Sequence, residues 1–578
     1  MHKTFFAGLL LSLLLAVACT GTPRVDDAQQ TTPPAIEQES DGSPATPQEL
    51  KALGYQASAD QSAAESRRER ANLAGMAAAA PAAESMRLPP GCCFQIPDEN
   101  REQYAHVESN PLQRVAEAPV STFSVDVDTG SYANVRRFLK VGQLPPADAV
   151  RVEELINYFD YAYAAPRSTN TPFGIHTEVA PTPWNAKTLL LRIGIQGWKP
   201  QTTARASNLV FLLDVSGSMA EPNKLPLVKS SLKLLTRQLG TQDRVSLVVY
   251  AGSSGVVLEP TPGNDAAKIE AALDRLQAGG STNGGEGIHA AYAMARQGFI
   301  RNGNNRVILA TDGDFNVGVT RFEDLLDLVK EQRKSGVALT TLGFGAGNYN
   351  DQLMEQLADA GDGNHAYIDS LSEAQKVLVD QRDATLQTIA RDVKIQVEFN
   401  PALVAEYRLI GYENRMLRRE DFANDKIDAG DIGAGHTVTA LYEVALTGGG
   451  GERVEPLRYQ AGKPAVGTST ELAHVRLRYK KPDEGMDASS HLIERVLRTA
   501  DIVRGQPSES WRLAAAVSAF GQLLRKGPYT EHFGYADVER LARDARGEDR
   551  YGYAGEFLQL VKLADGLSVV AHTGERGD

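Results

Sequence analysis

The sequence predicts an α/β protein built on a doubly wound, mostly parallel sheet, flanked by β-rich, sandwich-like segments and ending in a helical C-terminal region. Three observations predict it. First, four short apolar runs end in Gly, Asp or Ser: LVFLLDVS from Leu209, RVSLVVYAG from Arg244, NRVILATDG from Asn305 and VALTTLGFG from Val337. Helical patterns lie between them, which is the rhythm of βαβ units around a parallel sheet covered on both faces. Second, runs outside this block alternate apolar and polar residues in the manner of antiparallel strands. Third, 578 residues are too many for one hydrophobic core, so several domains are expected.

The N-terminus begins MHKTFFAGLLLSLLLAVACTG, with His2 and Lys3, an apolar run too short to span a membrane comfortably, and small residues before Cys19. That pattern reads as a secretory signal. The cysteine makes residues 1–19 resemble a bacterial lipoprotein signal, with LAVAC as the lipobox. The resemblance implies that Cys19 is lipidated and holds the chain to a membrane of the cell envelope, the outer membrane or cell surface if the cell is Gram-negative. Residues 20–98 are rich in Ala, Pro, Gln, Glu and Ser and hold too little apolar surface to offset the entropy of ordering. A flexible tether is expected there. Its adjacent Cys92 and Cys93 form neither a disulfide framework nor a CxxC pair.

Residues 99–205 open the folded part. STFSVDVDTGSYANVRRFLKVGQLPP reads as a strand, a turn and a helix with a Pro-Pro stop. RVEELINYFDYAY has helical spacing, and HTEVAPTPW and TLLLRIGIQGW read as strands. The parallel block fills 206–384, with helices expected in NKLPLVKSSLKLLTRQL, DAAKIEAALDRL, GGEGIHAAYAMARQGF and RFEDLLDLVKEQRKSG. In residues 385–486, VKIQVEFNPALVAEYRLIGYE, HTVTALYEVAL and LAHVRLRYKKP alternate as antiparallel strands around the loop TGGGGER. Residues 487–578 carry helical spacing in HLIERVLRTADIV, WRLAAAVSAFGQLLRK and YAGEFLQLVKLA. The two β-rich flanks are expected to form one sandwich with the central domain inserted between them. That requires Leu189 to Gly197 to pair with strands after Asp392.

The formal net charge of -13 argues against a nucleic-acid partner, since phosphate binding relies on basic patches. No long Lys/Arg block, C2H2 pattern or RNP-like pattern occurs.

Asp214 ends a buried run and is followed by Ser216 and Ser218 at alternate positions. A carboxylate there is costly unless something pairs with it. In open α/β sheets the ligand site lies beyond the carboxyl ends of the strands. A hard divalent cation such as Mg2+, seeking about six oxygens, is the natural partner. DxSxS offers it a carboxylate and two hydroxyls. Thr282 in AGGSTNGGEG and Asp312 in LATDGD can complete the shell, with Asp314 as an alternative to Asp312. The bland alternative is that the serines cap the next helix and Asp214 closes a turn.

DVSGSM, GGSTNGG and ATDGD, in that order, resemble the metal-ion-dependent adhesion site (MIDAS) of von Willebrand factor type A domains, across residues 206–381. The resemblance implies a Rossmann-like fold for this block. It maps the metal site onto Asp214, Ser216, Ser218, Thr282 and Asp312. It also implies that Ser216, Ser218 and Thr282 bind the cation directly, with the two aspartates acting partly through water. The metal would stay electrophilic, with an open position for a carboxylate of a partner protein. Mg2+ or Mn2+ is expected, Ca2+ less so. The flanks resemble the N-terminal and C-terminal domains that accompany this domain in one family of bacterial secreted proteins.

Other chemistries lack their constellations. VDVDTGS at Val125 to Ser131 resembles an aspartic-protease loop, but no second DTG occurs. A turn entering a helix accounts better for Asp126 and Asp128. There is no G-x-S-x-G elbow, no P-loop and no HExxH, and GFGAG at Gly343 lacks the third glycine of a dinucleotide loop. His289 and His365 read as surface or packing residues. An enzyme is not expected. The expected function is a lipid-anchored, metal-dependent protein-binding module; the alternative is a scaffold, adaptor or co-chaperone of an envelope assembly.

Overall fold

The computed structural model describes residues 101–574 except 167–170, 200–204, 282–283, 314–321, 456, 458–469 and 486. Residues 1–19, where a signal ending at Cys19 is expected, residues 20–98, where a tether with Cys92 and Cys93 is expected, and Thr282 and Asp314 therefore lie outside the described residues. The chain enters through β1 (Gln113–Arg114), β2 (Val120–Ser124), the helix Gly130–Lys140 and the helix Val152–Asn157. Asp128 N donates to Asp126 Oδ1 at 2.9 Å, closing the turn expected before the first of these helices. The second helix stops earlier than RVEELINYFDYAY predicts. Tyr158, Phe159, Tyr161 and Tyr163 leave the helical path and insert into a core, with Tyr161 Oη donating to Ile156 O. The hairpin β3 (Phe173–Thr182) and β4 (Asn185–Gly197) follows.

The central sheet contains β5 (Ser207–Asp214), β6 (Arg244–Tyr250), β7 (Ser254–Pro262), β8 (Asn304–Thr311), β9 (Ala338–Phe344) and β10 (His365–Ile368), in the order β10-β9-β8-β5-β6-β7. Every pair is parallel except the hairpin β6–β7. All of β5 is buried, which is why its Leu209–Leu213 stretch reads as an unbroken apolar run. Its side chains alternate: Leu209, Phe211 and Leu213 pack toward helices Leu225–Thr236 and Ala266–Asp274, while Val210 and Leu212 pack toward Gly284–Gln297, Phe322–Arg333 and Asp351–Ala360. The strands β7 and β10 and the helix Asp351–Ala360 were not legible among the four apolar runs, being polar or short.

The strands β11 (Thr388–Phe399), β12 (Val404–Ile410), β13 (Ile432–Gly433), β14 (Thr437–Leu446), β15 (Glu471–Lys480) and β16 (His491–Arg498) complete two further sheets. One runs β1-β12-β14-β4-β3, with Leu189 opposite Val444 and Gln196 opposite Thr437. The other runs β13-β11-β15-β16, with β2 also paired to β11. Phe123, Ile193 and Ile195 share a single core with Val397, Tyr407, Tyr442, Val475 and Leu477. Strands from before and after the central domain are thus woven into the same two sheets, and the pairing required of Leu189 to Gly197 is present.

A second expectation is corrected. HLIERVLR, read as helical, is the strand β16, paired with β15 from His491 opposite Tyr479 to Leu497 opposite Ala473. Leu492, Ile493, Val496 and Leu497 satisfy a helical period locally, but the open edge of β15 offers a complete backbone ladder, and that decides. The helical region begins instead with Glu509–Leu524, followed by Tyr535–Arg543 and Tyr553–Gly574. These pack with the helices Gly130–Lys140 and Val152–Asn157 around Trp511, Phe520 and Phe557. Trp511 Nε1 donates to Leu190 O on β4, tying the helical layer to the sandwich. Among the described residues no helix is long and apolar enough to cross a membrane.

Candidate metal centre

Parallel pairing of β5 with β8 sets Leu213 beside Ala310, so the carboxyl ends of the two strands deliver Asp214 and Asp312 side by side. Both aspartates are fully buried. Asp214 Oδ1 accepts from Ser216 N at 2.9 Å, while Oδ2 accepts from Thr311 Oγ1 at 2.9 Å and Tyr250 Oη at 3.2 Å. Burial pushes the Asp214 carboxyl above the usual carboxylate range, against the hydrogen bonds from Ser216. Asp312 Oδ2 accepts from Lys224 Nζ at 3.0 Å, and the same amine donates to Asn348 Oδ1 at 3.0 Å.

Ser216 Oγ and Ser218 Oγ stand 3.1 Å apart. Ser216 precedes the short turn Gly217–Ala220, yet its side chain caps no backbone N–H there. The capping account of the serines therefore lacks its hydrogen bond at this position. The glycine-rich loop is tied to the DxSxS loop: Gly217 N donates to Gly280 O at 3.0 Å and Gly279 N to Val215 O at 2.8 Å. Thr282 follows two residues beyond Gly280, outside the described residues.

This arrangement fits a hard cation. Two neighbouring ligands on an octahedral ion with bonds of about 2.1 Å lie about 3 Å apart, the spacing of the two hydroxyls. The donors are all oxygen, which suits Mg2+ or Mn2+ and not a thiolate-seeking metal. Each aspartate is already held by protein donors, so it is oriented before any ion arrives. Among the described residues no group of three or more His, Cys, Asp or Glu side chains could hold a metal ion. A cation here would depend on the hydroxyls. His289 is exposed, whereas His365 is buried and bonded to Thr341 Oγ1 and Tyr349 Oη.

Sequence reasoning missed four residues of this neighbourhood. Tyr250 stands opposite Asp214 in the β5–β6 register, and Thr311 directly precedes Asp312. Both were findable as strand-end neighbours of the aspartates. Lys224 and Asn348 carry no spacing signal, because loops after two different strands, β5 and β9, bring them there.

The six-stranded sheet and the loops at its carboxyl end define a bacterial von Willebrand factor type A domain protein. Residues 208–381 match the von Willebrand factor type A domain, residues 98–192 match a model described as von Willebrand factor, and residues 384–567 match "Uncharacterized protein YfbK, C-terminal". "Uncharacterized protein YfbK" of Escherichia coli (strain K12) is 47% identical over 485 residues, 82% of this chain and 83% of its own length. The chain belongs to the YfbK family. A "UPF0353 protein" of Mycolicibacterium vanbaalenii is 26% identical over 213 residues, 32% of this chain and 63% of its own. Among solved structures, "von Willebrand factor type A from Catenulispora acidiphila" covers 68% of this chain and 91% of its own, at 16% identity and a TM-score of 0.38.

Proposed function

We propose that this protein is a tethered, non-catalytic binding module of the cell envelope, anchored through lipid on Cys19. Asp214, Ser216, Ser218, Thr282 and Asp312 hold one Mg2+ or Mn2+, whose open position takes a carboxylate from a partner protein. The observation that carries this reading is a pair of serine hydroxyls, 3.1 Å apart, in the loop after buried Asp214, whose strand lies beside the one that leads to buried Asp312. A bound metal would supply the electrophile. The chain supplies orientation, through Thr311 and Tyr250 on Asp214, and a rigid frame beneath it.

A second reading is favoured by Lys224, which already gives Asp312 a cationic partner. On that reading the protein is an adaptor or scaffold of an envelope assembly, and the metal site is secondary. Calorimetric titration with Mn2+ and Mg2+ decides the first point. One equivalent bound, and lost in Asp214→Ala and Thr282→Ala, is the expected result; no binding by the wild type at millimolar metal places the adhesion reading below the adaptor one. Capture of envelope proteins in chelator against Mg2+ separates the readings, since only adhesion through the site needs the metal.

A further inference from the structure

Lys224 brings a positive charge into this centre from inside the fold. The residue is 4% exposed, and its amine bridges Asp312 and Asn348 at 3.0 Å each. The path of the side chain is built for it. Gly345 has φ +78°, and a Cβ there would stand 2.4 Å from Lys224 Cε and 2.6 Å from Cγ. A side chain at 345 would therefore strain the backbone and push the lysine stem aside. Loops following β5, β8 and β9 thus meet on one amine.

The charges then add up in a particular way. Asp214 and Asp312 together offer two negative charges to a divalent ion, which would give a neutral site. Lys224 cancels one of them beforehand, so the loaded site would keep one positive charge. Two consequences follow from electrostatics alone: the ion is held less tightly, and an incoming anion is attracted more strongly. We propose that Lys224 is a built-in counter-charge that weakens the resting affinity for the cation and biases the loaded site toward a carboxylate-bearing partner. This rests on the metal reading above and assigns a positioning residue to it.

The test is Mn2+ titration of the wild type, Lys224→Gln, Lys224→Met and Lys224→Arg, with thermal unfolding and far-ultraviolet circular dichroism alongside. Gln keeps an N–H donor toward Asp312 and Asn348, so it reports on charge even where Met fails to fold. The expected result is that Lys224→Gln binds Mn2+ about tenfold tighter or more, from removal of one nearby positive charge. Lys224→Arg should stay close to wild type. Tight binding by Lys224→Gln with a silent wild type would support the proposal in its strongest form, the lysine excluding the ion. Asp214→Ala placed in Lys224→Gln should abolish the gain. Equal or weaker Mn2+ binding by a folded Lys224→Gln, beside a wild type that binds, would overturn this proposal and leave the metal site standing. Silence in every variant would overturn both.

Discussion

The guanidinium of Arg136 and the carboxylate of Glu373, both almost sealed from water, meet at 2.7 Å. Arg136 lies on the helix Gly130–Lys140, before the A domain, and Glu373 on the helix Leu371–Gln375, near its end. Tyr158 Oη donates to the same carboxylate at 2.8 Å, and Arg136 also pairs with Asp369 and with Glu556 of the C-terminal helix. A second arginine, Arg415 of the C-terminal β region, reaches Asp126 at 3.1 Å and Glu355 of the A domain at 2.8 Å. The A domain is therefore locked to both flanks by buried, shared charges and not by apolar packing alone.

Replacing Arg136 with Met would leave Asp369 buried without its cation and Glu373 with Lys376, at 4.0 Å, alone. Removing one member of such a cluster typically costs about 3–5 kcal/mol. Urea unfolding of Arg136→Met should show a loss of that order, with Arg136→Lys intermediate. A loss below about 1 kcal/mol, the range of exposed pairs, would mean the cluster holds nothing together.

Ser216→Ala and Ser218→Ala should each weaken Mn2+ binding by about tenfold or more, since each removes one proposed direct oxygen ligand. In chelator Ser218→Ala should melt with the wild type, whereas Ser216→Ala, which loses a side-chain hydrogen bond to buried Asp214, should melt lower. Calorimetry in Mn2+ and thermal unfolding in chelator check the two halves separately. Unchanged affinity in both variants would count against the hydroxyls as ligands.

Thr311→Val removes the 2.9 Å donor to Asp214 Oδ2 and the acceptor for Gly313 N. A buried polar group deprived of its partner costs about 1–3 kcal/mol, so stability without metal should fall by that amount. Tyr250→Phe removes the longer bond at 3.2 Å and should cost less. Denaturant midpoints of the two variants in chelator would reverse this order if the tyrosine were the main support.

Lys376 is 1% exposed, with its amine 3.4 Å from the centre of the Tyr158 ring and 4.0 Å from Glu373. Burial lowers its pKa from 10.5 to about 8, against the pull of Glu373. The unfolded chain therefore binds more protons between these values, and stability from this group rises with pH across that window. The contribution is complete above 10.5 and is lost as pH falls to about 8, a swing of roughly 3 kcal/mol at most. Lys376→Met should flatten the slope of unfolding free energy between pH 8 and 10.5 and be the more stable protein at pH 7. An unchanged slope would place the titration elsewhere.

Much of the central domain was legible because its strands are buried on both faces and its helices carry clear periods. LVFLL and VILA are continuous apolar runs for that reason, and the ends of their strands marked Asp214 and Asp312. The edge elements were less legible. The strand β7 has a mixed burial pattern, and β10 has four residues. HLIERVLR was misread because its apolar positions suit either period until a partner strand is known. Lys224 was invisible as a site residue, since nothing in its neighbours in sequence marks an amine destined for Asp312.

The sequence by itself determined the order of elements in the A domain, the apolar ends where the acidic side chains stand, and the spacing of DVSGS and ATDG. These depend on local periodicity and on which residue types a strand end tolerates. Only the tertiary structure decided that β4 pairs with β14, across an inserted domain, and that β16 is a strand. Only it brought Lys224, Asp312 and Asn348 to one point. Those outcomes depend on which sheet edges remain open and which buried charges must find partners, and both are settled between segments far apart in the chain.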